Sequence, residues 1–337
     1  MQTIEKEEKK LTPHKLIPIV VGVTGFKDIF DEHKPKLKEL VRKSLLKIQE
    51  MCKAKKKNEV DTPIIMLNDL AEGAGILCAE VARELNIPIY AILPSDIDKY
   101  SKSFRDKDDQ NKFDSYKKSA ERLIFVPDIE NRKDWINRND NIPNKPTMTD
   151  TIYQYREIGI YIAEHSHILI ALWDGKANIR KFGYGTDKVI DFTLDHNYLD
   201  RDKLLYPGKV NDSAVIWINT PENVDKYNNT LNSEKRVYNS EDITMKWLAD
   251  EPDSKYDNYY KICNDPPLYL KDIINETKKY NSEKVSIPDK NKKLWDGDEC
   301  LTQYPIDLRY HYTKADQISY NKNQSIYITN IFLDLQY

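Results

Sequence analysis

Paired cysteines, long apolar runs and a surplus of either charge are all missing from this 337-residue sequence. Its four cysteines, Cys52, Cys78, Cys263 and Cys300, form no C-x-x-C pair. Neither a zinc site nor a disulfide framework is expected, and the cysteine usage points to a reducing, cytoplasmic compartment. Cys78 falls on an apolar helix face and reads as a small buried hydrophobe. Lysine and arginine (52) nearly cancel aspartate and glutamate (55). A global basic surface is therefore absent, and no nucleic-acid partner is expected. No stretch reaches the roughly 18 apolar residues of a membrane-spanning helix. Residues 1–14 read as a charged tail without the apolar centre of a secretory signal. GxSxG, HExxH and GxxxxGK[ST] are also lacking, which removes the usual support for serine-hydrolase, zincin and P-loop chemistry. Glycine is scarce, ten in all, so the places where it gathers carry information.

What the sequence does have is alternation. Short, continuously apolar runs occur at Leu16–Val23, Pro63–Leu67, Ile87–Leu93, Arg122–Val126, His167–Trp173 and Ala214–Asn219. Continuous apolarity suits strands buried on both faces of a parallel sheet. Between them lie helical spacings. Leu37, Leu40, Val41, Leu45 and Ile48 mark a helix from about Lys36 to Cys52, with Pro35 in its first turn. Ala74, Leu77, Cys78, Val81, Ala82 and Leu85 mark another. Two more cover Thr151–Glu164, with Asp150 as its N-cap, and Thr186–Leu194. The expected fold class is α/β, a Rossmann-like, doubly wound, mostly parallel sheet. We expect this domain over residues 15–220. Residues 221–337 read as a polar extension, with Pro221–Lys293 an excursion over the surface and Ile306–Tyr337 helical. Asp96–Gln110 reads as a surface loop.

Four glycine-bearing segments follow these strands. The first is Gly22-Val23-Thr24-Gly25-Phe26-Lys27-Asp28. Glycines at a strand end admit positive φ and close ligand approach, and exposed amides there hold anions. The second is Leu70-Ala71-Glu72-Gly73-Ala74-Gly75. Glu72 either complements the helix dipole or receives a ribose hydroxyl. The third is Trp173-Asp174-Gly175, where Trp173 is either core or a stacking partner for a base. The fourth is Gly183-Tyr184-Gly185-Thr186, a phosphate-cradle arrangement at a helix start. Pro94 ends another strand. Arg156, on a helix, either reaches a phosphate or faces solvent. His165 and His167 sit at a strand start, the wrong end of the sheet, and read as structural. In open α/β sheets, ligands bind beyond the carboxyl ends of the strands.

As a set, these motifs resemble the SLOG superfamily, the Rossmann-like group that includes the DprA/Smf and LOG proteins. The likeness is to bacterial members of conflict-system type, whose pattern runs GxTGHRD, LAEGAD, a strand ending in LP, SDxLIALWDG and GGT. This chain reads GVTGFKD (Gly22–Asp28), LAEGAG (Leu70–Gly75), AILP (Ala91–Pro94), HSHILIALWDG (His165–Gly175) and FGYGTD (Phe182–Asp187). The resemblance spans about Ile17–Asp195. It implies a nucleotide-type ligand, with no obligatory cofactor, held by Gly22, Thr24, Gly25, Gly183, Gly185 and Thr186 at phosphate. Glu72 and Gly73 would lie at the ribose, and Trp173 or Phe26 at the base. Pro94, Arg156, Asp174 and Gly175 complete the expected site.

Relatives act as sensors in anti-phage defence and switch an attached effector, often membrane-bound. The segment Tyr312–Asp316 is similar to the one that precedes the membrane part in such relatives. A homo-oligomer and a membrane or effector partner are therefore expected. Departures bear on chemistry. The LOG enzymes carry a glutamate where this chain has Val189, and Phe182 and Phe26 replace a glycine and a histidine. Lacking that carboxylate, the chain reads as a binder rather than a glycosidic hydrolase. Two alternatives stand beside the sensor: an enzyme cleaving a nucleotide or NAD with Glu72 as the acid, and an assembly module built on the C-terminal third.

Overall fold

The computed structural model describes residues 16–126, 150–176, 185–194, 213–221, 242–250 and 260–283. The chain alternates strand and helix from β1 (Ile19–Gly25) through α1 (Lys34–Cys52), β2 (Ile64–Asn68), α2 (Ala74–Glu84) and β3 (Ile89–Pro94). Two helices, α3 (Ile97–Lys102) and α4 (Lys107–Ser119), lead to β4 (Arg122–Val126). Then come α5 (Asp150–Glu164), β5 (Ile168–Trp173), α6 (Thr186–Leu194) and β6 (Ala214–Asn219). Beyond residue 220 lie β7 (Met245–Asp250), β8 (Tyr260–Cys263) and α7 (Leu268–Ser282).

These eight strands form one sheet in the order β4-β3-β2-β1-β5-β6-β7-β8. β1 to β6 run parallel, and β7 and β8 add antiparallel. The doubly wound α/β class is therefore what the alternation implied. Side chains alternate between faces along each strand. Ile19, Val21 and Val23 of β1 join Ile168, Ile170 and Leu172 of β5 in one core with α1, α2 and α7. Val20, Leu169, Ala171 and Trp173 face the other way, into a core with α5 and α6. Both faces are covered, which is why β2, β3 and β5 carry no exposed residue.

The helices form where the apolar spacing put them, with Pro35 in the first turn of α1. The N-cap expected of Asp150 lies outside the described side chains, as do the Ile306–Tyr337 helix and the N-terminal tail. Two expectations need correction. Asp96–Gln110 is not an irregular loop: Asp96 caps α3 by accepting from the Lys99 amide, and Asp106 caps α4 by accepting from Asp108 and Asp109. Tyr100 and Phe113 anchor this stretch in the core. The described part of Pro221–Lys293 is not a surface excursion either. β7 buries Trp247 and Leu248 into opposite cores, and α7 buries Leu270 and Ile274 beside α1. Asn281 at the end of α7 accepts from the Ile17 amide (2.8 Å) and donates to the Ile17 carbonyl (2.9 Å), which fixes the chain entering β1.

At the amino end of the sheet, His167 bridges β5 to β1. Its Nδ1 accepts from the Val20 amide at 3.1 Å, while its own amide donates to the Val20 carbonyl at 3.0 Å. His165 stacks on Tyr161 with ring centroids 4.0 Å apart. Burial pushes the His167 pKa down from 6.5 to about 4. Between those values the unfolded chain binds a proton that the folded chain refuses. Stability is therefore lost as pH falls from 6.5 toward 4, by about 3 kcal/mol in all. His167→Asn keeps an acceptor for Val20 but cannot titrate. In urea denaturation, wild type should lose about 2 to 3 kcal/mol more than H167N between pH 7 and pH 4.5. Parallel pH profiles for the two proteins would refute the assignment.

Candidate ligand site at the carboxyl end of the sheet

Strands β2 to β4 lie on one side of β1, and β5 and β6 on the other. The winding therefore reverses between β1 and β5, the position at which open α/β sheets form a ligand crevice. Thr24 and Gly25 end β1 there, opposite Ala171 and Leu172 of β5. A Cβ on Gly25 would lie 2.5 Å from Ala74 Cβ and 2.9 Å from the Leu172 carbonyl, so only glycine lets α2 and β5 close on this strand end. Gly22, by contrast, lies within the strand, opposite Leu67 and Leu169. A Cβ there would fall 2.2 Å from Ser166 Oγ and 2.7 Å from Ile162. Its part is to admit the end of α5, not to line the loop. Phe26, partly buried against the α5–α6 core, donates its amide to Leu172 (3.2 Å) and accepts from Ala74 (3.0 Å).

The loop after β2 is closed by the protein's own groups. Leu70 holds a left-handed conformation (φ 52°), which costs a β-unbranched residue about 1 kcal/mol. Asn68 secures it, accepting from the Leu70 amide at 2.7 Å and donating to the Gly75 carbonyl at 3.0 Å. Gly73 has φ 79°, and a Cβ there would meet the Lys27 carbonyl at 2.2 Å. The Gly73 amide donates to Asp109 (3.3 Å) and the Ala74 amide to Phe26, so two donors at the start of α2 already hold protein acceptors. Glu72 is buried, and its carboxylate accepts from the Asp106 amide (3.0 Å) and the Arg105 amide (3.3 Å). Arg105 also reaches Asp28 at 3.4 Å. Glu72 thus ties the α3–α4 connection to the strand-end loops.

The remaining expected residues divide. Trp173 is buried; its indole donates to the Lys176 carbonyl (2.9 Å), and its own carbonyl accepts from the Trp217 indole (2.8 Å). It belongs to the core and to the turn, where Gly175 (φ 80°) passes over the Trp217 ring. Asp174 accepts from the Lys176 amide and pairs with its ammonium, both at 3.1 Å. Gly185 (φ 128°) opens α6, with Thr186 partly exposed and Asp187 buried beside it. Gly183 lies outside the described residues. Arg156 pairs with the neighbouring Glu157 at 3.1 Å. Pro94 lines a cleft with Tyr100, Gln154 and Tyr155.

Sequence reasoning missed Lys27, Asp69, Tyr100, Gln154 and Tyr155. Lys27 Nζ donates to the Tyr155 hydroxyl at 3.0 Å and sits over its ring. Asp69 follows β2, and its carboxylate, turned into the protein, accepts from the Ala71 amide. Burial holds its carboxyl above the usual range, against the pull of the Ala71 amide and the Lys27 charge. The Tyr100 hydroxyl donates to the Asp69 carbonyl at 3.0 Å. Asp69 stands next to the LAEGAG segment, a carboxylate at a strand end, which was the available signal.

No protein-family model matches the chain, and no curated protein matches it. Among solved structures, the chain is similar to DNA processing protein A (DprA) from Streptococcus pneumoniae, at 11% identity and a TM-score of 0.31. The likeness covers 52% of this chain and 47% of that one, about half the length of each. The fold class rests on the strand order and register above, not on this likeness.

Removing the Glu72 carboxylate tests its anchoring part. Glu72→Ala leaves two partly buried amides without acceptors and should cost about 2 kcal/mol in denaturant unfolding. The Arg105 and Asp106 amides should exchange faster with solvent. Unchanged stability together with unchanged exchange would show that the carboxylate is held for something else.

Proposed function

We propose that this chain is a sensor. It binds a phosphate-bearing nucleotide or a nucleotide-derived, ADP-ribose-like second messenger, and it controls an effector in a bacterial defence system. The observation that carries the reading is the reversal of winding between β1 and β5, with hydroxyl and glycine pairs at both lips of the crevice: Thr24–Gly25 and Gly185–Thr186. Lys27, on the β1 loop, supplies a cation beside it. The start of α6 brings a positive dipole end, and hydroxyls with amides there suit phosphate oxygens. The order of the glycine motifs, similar to the SLOG pattern, supports the same assignment.

Two features favour binding over catalysis. Val189 stands where the hydrolases of that superfamily carry glutamate. Glu72, the acid that might replace it, has both carboxylate oxygens on backbone amides. The effector, a homo-oligomeric state and any membrane partner belong to this proposal. Among the described residues, no helix is long and apolar enough to cross a membrane.

Calorimetry of the full chain against linear and cyclic nucleotides and ADP-ribose should find one that binds. Thr24→Val with Thr186→Ala should then weaken it by about tenfold or more, the loss expected of hydroxyl bonds to a charged group. A folded sample that binds none of the panel, and from which mass spectrometry detects no co-purified nucleotide, would end the proposal.

A further inference from the structure

β4 ends the strand order and so forms one edge of the sheet. Leu123 (41% exposed) and Phe125 (46% exposed) stand open on it. They point to the α1–α2 side, as do Ala91 and Leu93, their register partners on β3. Ile124 and Val126 are buried on the opposite side. The backbone of the edge is open at the same two residues. The Met66 amide donates to the Pro88 carbonyl, so even-numbered residues of β3 turn their polar groups to β2 and odd-numbered ones to β4. Through the β3–β4 register, Arg122, Ile124 and Val126 then turn theirs to β3. The amides and carbonyls of Leu123 and Phe125 point outward and have no partner among the described residues.

Sheet edges are normally guarded by a charge, a proline or a bulge. Leu123–Val126 carries neither charge nor proline, and its register against β3 is unbroken. The charge at the start of the strand, Arg122, is drawn back over the Tyr90 ring, 5.5 Å from its centroid. β8, the other edge, is only four residues long and exposes Lys261. What fits the β4 edge is the same edge of a second copy. An antiparallel copy centred on Ile124 overlaps all five residues of the strand, and any other centre shortens the overlap. In that register Leu123 lies opposite the partner's Phe125, and Phe125 opposite the partner's Leu123. Opposite residues share a face, so the four exposed side chains meet. The same two pairs hold the outward amides and carbonyls, so each pair exchanges both backbone hydrogen bonds. Arg122 falls opposite the partner's Val126, and no like charges face each other.

We propose that β4 is the seam of a homodimer, in which two copies join antiparallel about a two-fold axis at Ile124 into one continuous sheet. Such pairing is isologous and closes at two copies. It gives the homo-oligomer proposed above a surface and a symmetry. Because the joined strands oppose, the two β1–β5 crevices open at opposite ends of the combined sheet, and ligand binding is separable from pairing.

Sedimentation equilibrium of the full chain should find a monomer–dimer equilibrium at micromolar concentration. Phe125→Lys sets a charge at an exposed edge position, so the fold should hold by circular dichroism while the dimer weakens tenfold or more. Cross-linking reads the register. In a background carrying Cys263→Ser and Cys300→Ser, Leu123→Cys together with Phe125→Cys brings opposed cysteines to a Cα separation of about 5.5 Å, within disulfide reach. Copper-catalysed air oxidation should convert this variant to a covalent dimer. Leu123→Cys alone has no opposed cysteine and should stay uncross-linked. A chain that remains monomeric, a dimer unmoved by F125K, a cross-link formed as readily by L123C alone, or assembly past two copies through this edge would overturn the seam. None of these results bears on the nucleotide calorimetry, whose failure would leave the seam standing.

Discussion

Ser166 and Ile162 can lie against β1 only because residue 22 has no side chain; a Cβ would stand 2.2 Å from the serine hydroxyl. That contact sets the seat of α5 and the point where β5 starts. After β4 the chain must cross to the far side of β1, and α5 is the last element before it does. With α5 pressed down, Ser166 and His167 follow directly, and His167 exchanges two hydrogen bonds with Val20. β5 is thereby laid beside β1 in register, Val21 against Ile168 and Gly25 against Leu172. The crevice at the opposite end exists because these two neighbours were joined at the base. A glycine within the strand is thus a precondition of how β1 and β5 lie together.

At the carboxyl end, the loops are held by the protein's own charges. Residues 103–109 run past the turns after β1 and β2, tied by Glu72 to two amides, by Arg105 to Asp28, and by Asp109 to the Gly73 amide. Asp109 is buried, and burial raises its carboxyl pKa above the ordinary value even as the amide bond and Lys34 oppose the shift. Bonds to charged groups in such places are stronger than exposed ion pairs, because water competes poorly for them. They fill donors at the head of α2 that a phosphate would otherwise find. The phosphate contacts we propose are therefore confined to β1, β5 and α6.

Much of the fold was legible because burial on both faces writes an unbroken apolar run. His167–Trp173 and Ile87–Leu93 read as strands with no further help. β7 was not legible in this way: among its described side chains only Trp247, Leu248 and Ala249 are buried, and lysine and aspartate flank them. Asp96–Gln110 misled for another reason. Its acidic residues read as loop, whereas Asp96 and Asp106 are helix caps. For the site, glycine located the strand ends but could not state its purpose. Gly25 and Gly185 border the crevice, while Gly22 serves packing and Gly73 serves a turn. Glu72 and Trp173 are spent on amides and carbonyls that only the folded chain brings near. Gln154 and Tyr100 gave no signal, since helical spacing says nothing of what a neighbouring strand end will place opposite.

The two-way bond between Asn281 and Ile17 has a consequence for how the molecule comes apart. It joins positions separated by 264 residues, and it lies beside the first residue of the central strand. The strands between them belong to one ladder. A cut after β6 would bare the unpaired edge that β7 now covers, a template for strand pairing with other chains. It would also release the lead-in to β1. Unfolding should therefore be cooperative from the C-terminal helix to the central strand, so that the chain melts as one body and cannot be shortened to its motif-bearing part without inviting aggregation.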